Sequence, residues 1–407
     1  MRTAISLFSG AGGIDFGLEA AGFTTRVALE MDHDCCRTLR ANRRWPVLER
    51  DILSVPTSEI LEAARLEAGD VDLVVGGPPC QPFSKSGYWA SGDSLRLNDP
   101  RSATLLAFLR VVEEAKPKVF MLENVEGLAF SGKDEGLRIL LERVREINRL
   151  TDSSYQPVVQ VMNAAEHGVP QVRERVIIVA ARNGKVFRFP NPTFRAPEDQ
   201  AHPSLPTFRT AWDALGHLDL DAEEDLGVRG KWGDLLPSIP EGQNYLHHTD
   251  RGGGLPLFGW RRRYWGFLLK LAKSRPSWTI QAQPGPAIGP FHWDNRRLSI
   301  KELCALQTFP AGLQIVGSRT SQQKQLGNAV PSLLAEILGR AIITQLLGGR
   351  VSRSPKLAVQ ARTPTPPPRR PGRVPDRFRA LVGDHSAHPG TGKGYAALAR
   401  QQALVWR

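Results

Sequence analysis

Short apolar runs alternate with segments of helical spacing along the first half of this 407-residue chain. Thr3 to Ser9 (TAISLFS) reads as a buried strand that ends in Ser9-Gly10-Ala11-Gly12-Gly13. Ile14, Gly17, Leu18 and Ala21 then keep the spacing of one helix face until Gly22 stops it. Val27 to Leu29 predicts a second strand ending at Glu30, and a third is expected to end near Asp51 and Ile52. Val71 to Val75, interrupted only by Asp72, is a fourth and runs straight into Gly76-Gly77-Pro78-Pro79-Cys80-Gln81-Pro82-Phe83-Ser84. A helix over Thr104 to Ala115, a strand over Val119 to Leu122, a helix over 134–149 and strands over Val158 to Met162 and Val176 to Ala181 follow. Strands alternating with helices predict an α/β fold built on an open sheet.

The texture changes beyond Asn183-Gly184. Residues 183–292 are rich in Gly, Pro, His and Trp, hold little regular periodicity, and predict a second, smaller domain. Ser299 and Glu302 have the form of a capping box and open a helix carrying Leu303 and Leu306. Gln325-Leu326-Gly327-Asn328-Ala329-Val330-Pro331 leads into an apolar helix over Leu333 to Leu347. After Arg350 the chain turns Pro-rich and Arg-rich, a composition expected to remain a disordered tail. The organisation read from these shifts is 1–182 for the first part of an α/β domain, 183–317 for the smaller domain and hinge, 318–349 for a return to the first domain, and 350–407 for the tail.

Charge changes this picture less than its total suggests. The formal net charge of +12 points to a polyanionic partner, but residues 351–407 hold 11 Lys/Arg against 2 Asp/Glu, which leaves the first 350 residues only about +3. A nucleic-acid contact therefore has to be argued from local patches. Arg261-Arg262-Arg263-Tyr264-Trp265 and Gln281 to Pro286 are the best of these, since basic side chains beside aromatics and glycine loops suit phosphate and base contact; a solvated charge run is the competing reading. The four cysteines form no Cys-x-x-Cys pair, which gives no metal module and predicts free thiols in a reducing, cytoplasmic setting. No run approaches the ~18 apolar residues of a membrane span, so no membrane partner is expected.

Candidate chemistry gathers where the strands end. The Gly/Pro turn holds Cys80 on stiff backbone at the carboxyl end of a strand, where open α/β sheets place ligands. The neighbouring strand delivers Glu123 to the same edge, which pairs a nucleophile with a general acid. Arg173 and Arg175 alternate along an extended segment and read as anion or carbonyl clamps, or as arginines on a solvated edge. Gly10 and Glu30 lie 20 residues apart, the arrangement in which a glycine turn admits a cofactor and an acidic side chain takes ribose hydroxyls. Position 15 is Asp where a dinucleotide fingerprint has its third glycine, which favours an adenosine-type cofactor without phosphates. Asp51 reads equally as an acceptor for an adenine amino group, with Met31 and Ile52 sandwiching the ring, or as a solvated loop carboxylate. The polar stretch 85–102 is expected to be a mobile lid.

Six segments in order resemble the bacterial-type cytosine carbon-5 DNA methyltransferases: Phe8 to Phe23, Gly77 to Ser84, Glu123 to Val125, Gln171 to Arg175, Arg297 to Pro310 and Gln325 to Asn328. The resemblance covers about residues 3–347 and leaves out the tail and the interior of 185–292. It implies a Rossmann-like S-adenosyl-methionine-dependent methyltransferase domain with an irregular target-recognition domain. It implies S-adenosyl-L-methionine as methyl donor, seated by Phe8, Gly10, Gly12, Gly13, Glu30, Met31, Asp51, Ile52, Pro79 and Asn328, and no metal. It further implies Cys80 as nucleophile toward carbon 6 of a flipped-out cytosine and Glu123 as the acid at ring nitrogen 3. Arg175 would hold the base carbonyl with Arg173 in support, and the Pro78 carbonyl would take the exocyclic amino group. Gln81, Ser84 and Asn124 complete the implied substrate contacts, and the basic patch outside the resemblance adds Arg261 and Arg263 as candidates. The expected partner is double-stranded DNA, for a monomeric modification enzyme that shares its site with a restriction endonuclease. A transfer-RNA methyltransferase on the same scaffold, a non-catalytic DNA-binding homologue and a dinucleotide-dependent oxidoreductase are the alternatives. The intact Cys80, Glu123 and Arg175, and the size of 183–292, weigh against them.

Overall fold

The computed structural model describes residues 2–79, 102–125, 135–219 and 224–387. Strands β1 (Arg2–Leu7), β2 (Phe23–Glu30), β3 (Val47–Glu49), β4 (Leu73–Gly76), β5 (Val119–Asn124), β6 (Val158–Asn163) and β7 (Glu174–Ala181) form one sheet in the order β3-β2-β1-β4-β5-β7-β6. The first five strands are parallel, and β7 runs antiparallel between β5 and β6. The order reverses between β1 and β4, so the carboxyl ends of those two strands flank the switch point where such sheets bind ligands.

The strands read as nearly continuous apolar runs because helices cover both faces. Alternate residues supply two separate cores. Ile5, Leu7, Val74, Phe120 and Leu122 point to one side, where they meet Phe108 and Val112 of the helix Ser102–Ala115 and Leu140 and Val144 of the helix Glu135–Thr151. Ala4, Leu73, Val75, Val119 and Met121 point to the other, against Leu18 of α1 (Gly13–Ala21) and Leu334, Leu338 and Ile342 of the helix Ser332–Gln345. The stretch Arg319–Gln345, which holds that last helix and the preceding one, Arg319–Asn328, is long and apolar enough to cross a membrane, and most of its most apolar part is buried inside the fold.

The described residues of 183–292 hold little regular structure, as their composition predicts: short helical turns and isolated bridges around an aromatic core of Trp232, Tyr245, Phe258 and Phe267. Ser299 caps the helix Ile300–Leu306 through the expected capping box, its hydroxyl accepting from the Glu302 amide at 3.1 Å while its own amide donates to the Glu302 carboxylate at 2.8 Å.

The expectation of a disordered tail from residue 350 is wrong for 351–387. This segment has almost no secondary structure of its own, yet it is bonded as a strap to distant parts of the chain. The buried Glu336 carboxylate accepts from the amides of Lys356 and Leu357, and Asp213 accepts from the Arg362 amide. Glu241 accepts from the Arg369 amide, and the Gly372 amide donates to the Pro237 carbonyl. Val374 and Phe378 then enter this aromatic core, where the Phe378 ring stacks on Trp232 at 5.6 Å and 15°. Composition misled here because the strap orders itself on surfaces supplied by distant parts of the chain.

Candidate active site

A cavity of about 770 Å³ opens at the switch point, lined by the ends of β1, β2, β4, β5 and the helix Arg319–Asn328. Its first wall is the turn after β1. Phe8 lies in the left-handed region at φ 56, a conformation a bulky residue holds only under constraint and one that gathers at functional sites. Gly10 follows at φ 54, and a side chain there would meet open space. Glycine keeps the backbone bare where a ligand could lie against it. A Cβ on Gly13 would sit 2.3 Å from the Val330 carbonyl, so the absence of a side chain lets α1 start against the 329–330 segment.

Glu30 ends β2 at the cavity. One carboxylate oxygen accepts from the Gly10 amide at 2.8 Å, and the other accepts from the Met31 and Asp32 amides, each at 2.8 Å. Three backbone donors thus fix this side chain in place, and the same contacts join the glycine turn to the end of β2. Met31 is exposed at the cavity rim. Ile52 is packed in the core, and Asp51 caps the one-turn helix Ile52–Ser54 by accepting from the Leu53 amide at 3.0 Å; neither lines the cavity. Asp32 and Lys324, which sequence reasoning missed, line it as a pair at 2.8 Å, and the lysine holds the Asp32 carboxyl below the usual range. Asp32 also caps the helix His33–Asn42, a signal that Met31-Asp32-His33-Asp34 carries in the sequence.

The other wall carries acid and base chemistry. Gly77, Pro78 and Pro79 leave β4 beside Glu123 and Asn124 of β5 and Val125 just after it. A Cβ on Gly77 would approach the Glu123 carboxylate to 2.7 Å. Asn124 donates to the Pro78 carbonyl at 3.2 Å and accepts from the Val125 amide at 2.7 Å, which ties the two strand ends together. Arg175 pairs with Glu123, Nε to Oε1 at 2.8 Å. Burial nonetheless pushes the Glu123 carboxyl above its ordinary pKa, with Arg175 and Arg173 pulling the other way. Cys80, Gln81, Ser84 and the expected lid fall outside the described residues.

Arg173 and Arg175 take different roles. Arg175 lines the cavity, whereas Arg173 is fully buried behind it and donates to the Gly327 carbonyl at 2.8 Å. Burial and the neighbouring Arg175 lower the Arg173 pKa, and Glu123 raises it. The buried Gln171 and Gln307 extend this scaffold. Gln171 donates to the Gln307 side chain at 3.1 Å, and Gln307 donates to the carbonyls of Leu326 and Ala329, so the segment that presents Asn328 is held from behind. Of the two arginines proposed to touch substrate in the second domain, Arg261 stands exposed over Trp260, and Arg263 packs over Trp232 and Phe267.

A single family model, C-5 cytosine-specific DNA methylase, matches residues 2–344. The chain belongs to that family. It is 42% identical over 369 residues to the Type II methyltransferase M.SacI of Streptomyces achromogenes, an alignment spanning 84% of this chain and 93% of that protein. It is 46% identical over 226 residues to M.AquIA of Picosynechococcus, covering 53% of this chain and 89% of the relative. Among solved structures it is similar to the Entamoeba histolytica methyltransferase EhMeth (TM-score 0.58, 16% identity, 85% and 99% coverage). It is also similar to the S. pombe Dnmt2 methyltransferase (TM-score 0.54, 16% identity, 86% and 99% coverage). Those two likenesses concern the fold. The methylase is thus a DNA (cytosine-5)-methyltransferase with a Rossmann-like domain. Membership brings S-adenosyl-methionine with it, and the cavity's chemistry suits that molecule: a bare glycine turn, an anchored carboxylate for hydroxyl groups, and a partly apolar rim. Among the described residues no cluster of His, Cys, Asp or Glu could hold a metal ion.

Proposed function

We propose that the enzyme methylates carbon 5 of a cytosine turned out of duplex DNA, through a covalent adduct to Cys80, as the modification enzyme of a type II restriction–modification system. The observation that carries this reading is the convergence of Glu123, Arg175 and the Pro78–Pro79 turn on one cavity wall, opposite Gly10 and Glu30. Neutral cytosine is a poor electrophile, and its ring atoms are unreachable inside the stack. The Cys80 thiolate adds to carbon 6 while Glu123, whose carboxyl burial pushes toward the protonated form, hydrogen-bonds ring nitrogen 3 and stabilises the enamine. Arg175 holds the carbonyl at carbon 2, which requires its present bond to Glu123 to be shared or exchanged. Arg173 acts from behind the wall as a positioning residue. The Pro78 carbonyl already accepts from Asn124, and its second lone pair is the one left for the exocyclic amino group.

Phe8, Gly10, Glu30, Met31, Pro79 and Asn328 would hold S-adenosyl-methionine, whereas Asp51 and Ile52 lie off the cavity; when bound it would supply a methyl group to the nucleophilic carbon 5. A base then takes the proton from carbon 5, and the electrons of that C–H bond re-form the ring double bond as the Cys80 thiolate leaves carbon 6. The relatives named as Type II methyltransferases support a bacterial, DNA-associated setting; in the proposed reading the enzyme is a cytoplasmic monomer whose recognition site a restriction endonuclease shares without binding it. Bisulfite sequencing of DNA from cells expressing the protein tests the activity and reads the target sequence together. Cys80→Ser should abolish methylation while leaving S-adenosyl-methionine binding intact, and a Cys80→Ser enzyme with normal turnover would refute the covalent route.

A further inference from the structure

Three large aromatic side chains stand in solvent on the second domain with no structural reason to be there. Tyr264 is 85% exposed, Trp265 55% and Trp278 38%. The two tryptophans meet edge to face at 5.6 Å and 78°, so they form one continuous aromatic surface rather than scattered exposed residues. Single exposed apolar side chains need no explanation, but adjoining ones on a charged surface do.

The patch is rigidly held from beneath. The Trp265 carbonyl accepts from the buried Asn244 amide side chain at 2.8 Å, and the Tyr264 carbonyl accepts from the Phe267 amide at 3.0 Å. Trp278 is fixed to the catalytic domain. Its neighbour Ser277 exchanges backbone hydrogen bonds with Pro170 and Val172, and the Thr279 hydroxyl donates to the Val172 carbonyl at 2.8 Å. Residues 170–172 run directly into Arg173 and into Arg175, which lines the active-site cavity. The aromatic pair therefore belongs to the joint between the two domains and lies a few residues along the chain from the site of chemistry. On its other flank Arg261, Arg262 and Arg263 are exposed in the same loop, and Arg251 and Arg261 both lie over Trp260.

We propose that Trp265 and Trp278, with Tyr264 beside them, form a stacking platform for a nucleobase of the bound DNA. The occupant is a base left without its neighbour when the target cytosine leaves the helix. Two features select this partner. The arginines supply the charge a polyanion requires, and the aromatic faces supply what a phosphate cannot use but an unstacked base can. Turning a base out of the duplex costs stacking energy, and a rigid aromatic surface at the domain joint returns part of it. The platform rests on the DNA-methylation reading above and adds a specific contact to it.

The test uses the full-length enzyme and a duplex carrying the sequence that bisulfite mapping identifies. Binding is measured for two versions, one fully paired and one with an abasic position in place of the target cytosine, which leaves the opposite base unpaired. Base stacking on an aromatic side chain is worth roughly 5- to 150-fold in affinity. Trp265→Ala and Trp278→Ala are each expected to weaken binding of the abasic duplex within that range, and Trp265→Phe to restore most of it. 2-Aminopurine placed opposite the target should be quenched by the unsubstituted enzyme and brightened by Trp265→Ala. S-adenosyl-methionine binding, unchanged in each variant, reports that the fold is intact. Unchanged affinity and quenching in both alanine variants overturn the platform. So does a change confined to the salt dependence, which would leave the arginines as the whole contact. An altered sedimentation coefficient with unaltered DNA binding also overturns it, by making the patch a surface for a second copy of the chain. Failure of the unsubstituted enzyme to methylate any DNA is a separate outcome that strikes the catalytic reading instead.

Discussion

Replacing Phe378 with alanine separates two accounts of the C-terminal segment. If residues 351–387 were a solvated linker, the substitution would fall among surface changes worth within about 0.5 kcal/mol. In the structure Phe378 is only 2% exposed, lies among Leu235, Leu236, Phe258 and Val374, and stacks on Trp232. Truncating a buried phenylalanine costs about 3–5 kcal/mol, the lost transfer free energy plus the cavity left behind. The ion pair between Arg377 and Asp234 on the exposed side adds little to that figure. Native-state hydrogen exchange reads the loss where it matters, at the Gly372 amide, which donates to the Pro237 carbonyl at 2.8 Å and anchors the strap six residues upstream. A local loss of that size accelerates exchange by roughly 150- to 5,000-fold, up to the limit set by unfolding of the whole domain. The Lys356 and Leu357 amides, bonded to Glu336 of the helix Ser332–Gln345, should change far less, because their contacts are distant from the lost ring. The reasoning fails if Gly372 in the unsubstituted protein exchanges as fast as a free peptide, or if Phe378→Ala leaves its rate unchanged.

Two further perturbations address the cavity and the helix beneath it. Glu123→Gln preserves shape but leaves an amide that neither gives up nor takes a proton, and turnover should fall by roughly 10²- to 10⁴-fold with S-adenosyl-methionine affinity retained; normal single-turnover methylation by this variant would remove Glu123 from the acid role. Asp15 is fully buried in the first turn of α1, and burial raises its carboxyl pKa to about 7 from 3.8. The unfolded chain gives up this proton near pH 4 while the folded chain keeps it to about pH 7. Stability therefore falls as pH rises through that window and is level above it. Asp15→Asn should flatten the dependence and raise the urea midpoint at pH 8 relative to pH 4.5; an identical pH profile in both proteins would contradict the burial argument.

The α/β class, the strand ends and most of the cavity wall were legible in the sequence, since each rests on a local property. Two-residue and 3.6-residue periodicities report which faces are buried. Gly10 and the Gly76 to Pro79 turn report backbone conformations that few other residues take, and Ser299 with Glu302 reports a helix start within four residues. Glu30 was readable because its distance from Gly10 along the chain reflects one strand–helix–strand unit. Tertiary structure decided the rest. Which of two alternating arginines would face the cavity depended on where the Gly327 carbonyl lay, more than 150 residues away along the chain. Lys324 met Asp32 across an even larger separation. The strap gives the clearest case. Its Pro- and Arg-rich composition cannot form a core, and that inference is correct for the segment alone. What composition could not register is that Glu336, Asp213, Glu241 and Trp232 wait along its path, so that the order it lacks in itself is supplied by partners the folded chain brings together.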